Sequence, residues 1–265
     1  MRVLYQLTSP MHLTLGVQEI ARRRAFLAGH AAAGTELSVE PTESGPAAIE
    51  GAADAALVVP ELLRLVPLAE QRGFDVIIIG CFSDPGLDAL RERSGVALVG
   101  PGASAMHLAA QLGSRFSILA PAGRGEGRVR ARLRALGIES LFASVRSVGC
   151  SVLDLALGAN DAMERIAEAG RRCVDDDGAE AIVLGCMSMA FLPGVQEGLQ
   201  SALGCPVINP VVAALKTAEA FGAMGLRHGR AATTSGETAS TIGAEESASS
   251  PLGVDRSALS RLGVS

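Results

Sequence analysis

The sequence predicts an α/β fold made of two pseudo-symmetric, duplicated α/β domains with parallel sheets and an active site in the cleft between them. Three observations carry this. Short apolar runs alternate with longer helical patterns along the chain, the arrangement that buries parallel strands under helices on both faces. Two stretches, GFDVIIIGCFSDPGLDALRE from Gly73 and GAEAIVLGCMSMAFLPGVQE from Gly178, match in register and place Cys81 and Cys186 at the same junction, 105 residues apart. Flanking segments repeat in the same order: RVLYQL at Arg2 lies on RFSILA at Arg115, and VALVGPGASAMHLAAQLG at Val96 on CPVINPVVAALKTAEAFG at Cys205. Any two βα units share an apolar run followed by a helix, but a Gly-Cys at the same point of both favours duplication.

The strands are read at residues 3–7, 76–79, 97–99, 116–119, 182–184 and 207–208, each short, apolar and mostly β-branched. Helices are read between them at 56–71, 105–112, 127–136, 162–174 and 212–221, where good helix formers recur with helical spacing. Residues 1–100 with 205–228 are expected to form the first domain and 101–204 the second. From 229 to 265 the chain turns to ATTSGETASTIGAEESASS and similar sequence, too poor in apolar residues to offset ordering entropy, and is expected to be a flexible tail.

Composition narrows the function. At 265 residues and 48% hydrophobic content the chain can bury a sizeable core. A net charge of -5, 3% aromatic residues and no Trp offer neither a basic stripe nor a stacking platform, so no nucleic-acid partner is expected. The arginines at 22–24 and 128–134 read as solvated helix faces. The start, MRVLYQLTSP, lacks a signal-peptide pattern and no apolar run reaches membrane length, so a cytoplasmic protein without a membrane partner is expected. Five cysteines without framework-like spacing imply reduced thiols.

Cys81 and Cys186 are the candidate catalytic residues. In Cys81-Phe82-Ser83-Asp84-Pro85-Gly86, Asp84 is read as a helix N-cap and Pro85 as the first helical residue, which puts the thiol beside a helix N-terminus where a thiolate is favoured. In the second copy Ser188 is the nearest candidate cap. A pair of thiols in unequal environments suggests two-base proton transfer: removal of a proton from one face of a carbon and return to the other inverts it. Cys150, Cys173 and Cys205 read as small buried packing residues. No metal site is expected, because His12, His30, His107 and His228 are scattered and neither Gly-Cys has a second ligand at close spacing. Pyridoxal phosphate would need a Schiff-base lysine, and the only lysine is Lys216, inside the helical VVAALKTAEAF. With no phosphate-loop motif either, chemistry without a cofactor is expected.

GCFSDPGLDALRE at 80–92, RFSILA at 115–120, SVLDL at 151–155, DDGAEAIVLGCMSM at 176–189 and PVINPVVAALKTAE at 206–219 resemble the hydantoin and allantoin racemase family of the aspartate/glutamate racemase superfamily. The resemblance runs in order over residues 1–225, and Cys-Phe-x-Asp-Pro-Gly-Leu is its most specific part. It implies two pseudo-symmetric domains, no cofactor, a small-molecule substrate, a homo-oligomer, and Cys81 and Cys186 as acid and base. Phe82, Ser83, Met187 and Ser188 would hold the polar atoms of a ring through their backbone N–H groups.

Several positions depart from the family. Its Asn-Pro-Asn-Thr near the N-terminus is replaced by Gln6-Leu7-Thr8-Ser9, which makes Gln6, Thr8 and Ser9 the provisional substrate-binding residues. Ala120-Pro121 stands for a paired threonine, Ala103-Ser104-Ala105 for Gly-Glu-Ala, and Asn209 for an aspartate. Amino-acid racemases of the superfamily carry Cys-Asn-Thr and Gly-Cys-Thr-His, where Phe82 and Met187 here suit a neutral ring or bulky substituent. The expectation is a racemase or epimerase acting on a carbonyl-flanked stereocentre in a hydantoin-like ring. The alternatives are an amino-acid racemase, a decarboxylase, which in this superfamily keeps only the second cysteine, a cis/trans isomerase, or a non-catalytic small-ligand-binding protein.

Overall fold

The computed structural model describes residues 1–122 and 125–228, so the expected tail at 229–265 lies outside the described residues. In chain order the first half supplies β1 (Arg2–Leu7), α1 (Met11–Thr14), α2 (Val17–His30), β2 (Glu36–Glu40), α3 (Ala52–Gln71), β3 (Val76–Gly80), α4 (Leu87–Arg93) and β4 (Ala97–Val99). There follow α5 (Pro101–Leu112), β5 (Phe116–Ala120), α6 (Glu126–Ala135), β6 (Phe142–Ser147), α7 (Val152–Ala156) and α8 (Ala162–Asp175). The chain continues through β7 (Ala181–Leu184), α9 (Met187–Ala190), α10 (Val195–Leu203), β8 (Val207–Ile208) and α11 (Pro210–Met224).

The strands form two four-stranded parallel sheets ordered β2-β1-β3-β4 and β6-β5-β7-β8, the same local order twice. The apolar runs of β1, β3, β5 and β7 are buried almost throughout, as the sequence predicts. β2 (ELSVE) and β6 (FASVRS) escape the sequence reading because they are edge strands, half-buried and rich in polar residues. α2 escapes it for a related reason: only Arg23 and Leu27 of its fourteen residues are buried.

The two faces of the first sheet belong to different cores. Leu4, Ile77, Ile79 and Leu98 pack against Val58, Leu62 and Val66 of α3 and Leu90 of α4. Their neighbours in the strand, Val3, Tyr5, Val76 and Ile78, point the other way and join Ile118, Leu119, Ile182 and Leu184 of the second sheet in one continuous cluster. Each such aliphatic side chain contributes about 1.5–3 kcal/mol of burial. The two sheets therefore share one core, and the cleft between them is floored by it.

The expected boundary needs one correction. Residues 205–228 are expected in the first domain, but Ile182 and Val183 pair with Val207 and Ile208, which keeps β8 in the second sheet. Only α11 crosses back, packing on β3, β4 and α2 as well as on α5. Among the described residues, no helix is long and apolar enough to cross a membrane.

Candidate active site

Gly80 ends β3, Gly185 follows β7, and both occupy the central part of their sheets. A Cβ at Gly80 would stand 2.7 Å from Tyr5 Cε1 and 2.9 Å from the Gln6 carbonyl oxygen; at Gly185 it would stand 2.5 Å from the Leu119 carbonyl oxygen. In each half the chain leaves its strand across the backbone of the neighbouring one, and only glycine fits. The next residue is the cysteine in both cases, so the glycine fixes where the thiol emerges.

Cys81 and Cys186 are buried, and both line one cavity of about 50 Å³ between the sheets. Cys81 Sγ lies 3.1 Å from Ser83 Oγ. Cys186 sits in extended conformation at the N-cap of α9, a position that its own backbone fills in place of the expected Ser188. Thr8, Ser9, Phe82, Met187 and Ser188 line the same cavity. Phe82 and Ile49 also border an adjoining cavity of about 260 Å³, and Ser83 faces that second space together with Met106, Ile118 and Arg132.

Gln6 is the provisional binding residue that the structure moves away. It shares the face of β1 with Leu4, and its amide donates to the carbonyls of Leu7 (3.0 Å) and Glu40 (3.1 Å), tying β1 to β2. The period-two alternation of the strand turns Leu7, not Gln6, into the lining of the cysteine cavity.

Asp84 is also reassigned. It does not cap the helix that follows it: Gly86 is the N-cap of α4, and Asp84 itself adopts a left-handed φ of 47°. Its carboxylate instead accepts from the N–H groups of Gly102 (3.0 Å) and Ala103 (2.9 Å), at the start of α5, and pairs with Arg132 of α6. Arg132 also donates to the Phe82 carbonyl. The loop after Cys81 is thus fastened from two elements, α5 and α6.

Two residues went unread as site groups. Arg23 and Arg132 belong to the arginine runs expected to be solvated, yet Arg23 is only 2% exposed and lines the cysteine cavity, while Arg22 and Arg24 keep more solvent. The signal was available: Glu19 at i−4 and Leu27 at i+4 put Arg23 on the buried stripe. Glu19 pairs with Arg22 (2.6 Å) and Arg23 (2.8 Å); burial pushes its carboxyl up, and the two guanidinium groups outweigh that and hold it low. Tyr5, beneath Gly80, is fully buried; its hydroxyl has no hydrogen-bond partner among the described residues, and burial pushes its ionisation well above the ordinary range.

The other thiols behave as packing residues. Burial pushes Cys173 up to about 11 and raises Cys150 and Cys205 as well. Among the described residues no group of three His, Cys, Asp or Glu side chains is arranged to hold a metal.

The fold and the site together define a duplicated α/β protein whose two halves each present one glycine-seated cysteine to a common cavity. Residues 11–218 match the family model described as Asp/Glu/Hydantoin racemase, and the chain belongs to that family. It is 35% identical to the hydantoin racemase of Paenarthrobacter aurescens over 201 residues, 76% of this chain and 84% of the relative. An allantoin racemase from Klebsiella pneumoniae superposes with a TM-score of 0.77 at 31% identity, covering 87% of this chain and 91% of the other. The allantoin racemase of Pseudomonas fluorescens gives 0.80 at 27%, covering 92% and 100%.

Proposed function

We propose that the protein is a cofactor-independent two-cysteine racemase or epimerase that inverts a carbonyl-activated stereocentre in a hydantoin-like ring. The observation that carries this reading is the convergence of Cys81 and Cys186, one from each half of the duplicated fold, on a single cavity. One thiolate takes the α-proton from one face of the ring carbon and becomes a thiol. The electron pair passes to the adjacent carbonyl oxygen, and the other thiol delivers a proton to the opposite face, leaving a thiolate. The reverse reaction exchanges the roles. Backbone N–H groups of Phe82, Ser83, Met187 and Ser188 hold the ring's polar atoms, and Thr8 and Ser9 add hydroxyls from the loop after β1. A ring substituent extends past Phe82 into the adjoining cavity, lined by Met106, Ile118 and Val129. The enzyme is taken to act in the cytoplasm as a homo-oligomer on a free small molecule.

The test is solvent deuterium incorporation, with chirality followed by circular dichroism, on single enantiomers of hydantoins and allantoin. Wild-type protein should racemise at least one of them with exchange above the spontaneous rate. Cys81→Ala and Cys186→Ala should each lose racemisation by about a thousandfold. A single-cysteine variant that still racemises near the wild-type rate refutes the two-base assignment.

A further inference from the structure

Arg23 is a buried cation in a site whose proposed reaction moves only protons. Its guanidinium stacks on the Phe191 ring, 4.6 Å from the centroid, which fixes its plane. Nε donates to Glu19 Oε1 at 2.8 Å, and Nη2 points to Ser188 Oγ at 3.5 Å, two residues past Cys186. Glu19 is shared, since Arg22 binds both of its oxygens at 2.6 and 2.7 Å. Arg22, partly exposed and outside the cavity, takes both oxygens of that carboxylate, so the buried charge of Arg23 at the cavity wall is met by a single Glu19 contact. Burying such a charge is costly unless something negative meets it. The Tyr5 hydroxyl is buried and without a hydrogen-bond partner among the described residues, and its ring stands edge-on to the same Phe191 ring that Arg23 covers, 6.1 Å between centroids.

We propose that Arg23, with the hydroxyls of Tyr5 and Ser188, forms the electrophilic pole of the site, and that it takes up the negative charge that develops on the ring carbonyl oxygen as the α-proton leaves. The proposal rests on the racemase reading and adds to it a side-chain charge where that reading has only backbone donors. A neutral ring carbonyl gains little from Arg23 in the ground state. The enolate oxygen gains much, because Arg23 is itself buried and already oriented. No proton passes to Arg23; the charge returns to carbon when the second thiol protonates it. The substrate class that follows is a neutral ring, with the anion formed only during the reaction.

Arg23→Met is a usable variant because Glu19 keeps Arg22 as its partner, and Arg23→Lys retains the charge without the fork. With a neutral hydantoin, Arg23→Met should lower kcat by about a hundredfold while KM moves by less than about threefold, and Arg23→Lys should recover part of the loss. Tyr5→Phe should lower kcat in the same sense by a smaller factor. A second reading needs no turnover: the ratio of alkylation rates of the site thiols by iodoacetate and by iodoacetamide. The positive pole favours the anionic reagent, so this ratio should fall at least about fivefold in Arg23→Met and stay near wild type in Arg23→Lys.

An unchanged kcat, or a loss confined to KM and to substrates bearing a carboxylate, would overturn the proposal, the latter by making Arg23 a ground-state anchor. An unchanged alkylation ratio in folded Arg23→Met would overturn it as well. If wild type exchanges no ring proton, the racemase reading fails and the enolate role with it, while the alkylation ratio still reports whether Arg23 is an anion pole.

Discussion

Arg132 of α6 is ion-paired with Asp84, three residues beyond Cys81, so a side chain of the second half holds the loop that carries the first cysteine. The same guanidinium donates to the Phe82 carbonyl, and Asp84 in turn receives the first free N–H groups of α5. Asp84→Ala should cost about 3 kcal/mol, because it strands a partly buried arginine and two helix N–H groups together. Urea denaturation reads the cost. Arg132→Met should also change the alkylation rate of Cys81 while leaving that of Cys186 near wild type, and equal behaviour of both thiols would argue against a role specific to the first loop.

The glycines before the cysteines make a second prediction. Gly80→Ala and Gly185→Ala should each destabilise by about 1–3 kcal/mol and displace the following thiol, so that activity falls more than stability alone explains. Gly185 should be the worse site, since its Cβ meets backbone at 2.5 Å. Gly198, in α10 with open space around it, is the control: alanine there should stabilise by about 0.5–1 kcal/mol. Thermal midpoints of the three variants check the order.

Asp177 couples the end of α8 to the edge strand β6. Its carboxylate accepts from Arg146 Nε at 2.7 Å and Nη2 at 2.6 Å, and from Ser144, and the arginine bonds hold its pKa below the ordinary 3.8. A carboxyl depressed in the folded state stabilises fully above its unfolded value and loses that contribution as pH falls through the folded one. Wild type should therefore exceed Asp177→Asn by about 1 kcal/mol at neutral pH. The gap should shrink on acidification below 3.8, and a constant difference across that range would reject the ion pair as its source.

Cys173 offers a contrast to the paired thiols. With its thiol pushed up to about 11 and its side chain fully buried, it should resist iodoacetamide in the native protein and react only on unfolding. Peptide mass mapping after partial alkylation should find Cys81 and Cys186 modified before Cys173.

The sequence was legible where one physical rule dominated. The continuous apolar runs of β1, β3, β5 and β7 are buried on both faces, and they suffice to predict those strands and the α/β class. β2 and β6 are not predicted, because an edge strand needs no unbroken apolar run. Cys81 and Cys186 were singled out because duplication marks a position twice. Gln6 was misplaced because a loop resemblance does not count strand parity, and one residue along β1 changes the face. Asp84 has a good capping side chain, but its partner is a helix some eighteen residues on, which local pattern cannot reveal. Arg23 was hidden by its neighbours: three consecutive arginines look like a solvated face, although one position in a helical turn points inward.

The return of α11 to the first sheet has a consequence for synthesis. β1 to β4 leave the ribosome long before α11, which packs on β3 and β4, has been translated. At about 5–20 residues per second the nascent first sheet spends several seconds with part of an apolar face uncovered. The second sheet is complete at β8, before α11 is made, and it shares a core with that same face. β8 and α11 follow one another almost directly, so the shared core and the closing helix reach the first sheet nearly together, and its uncovered face persists until the last of the described elements is made.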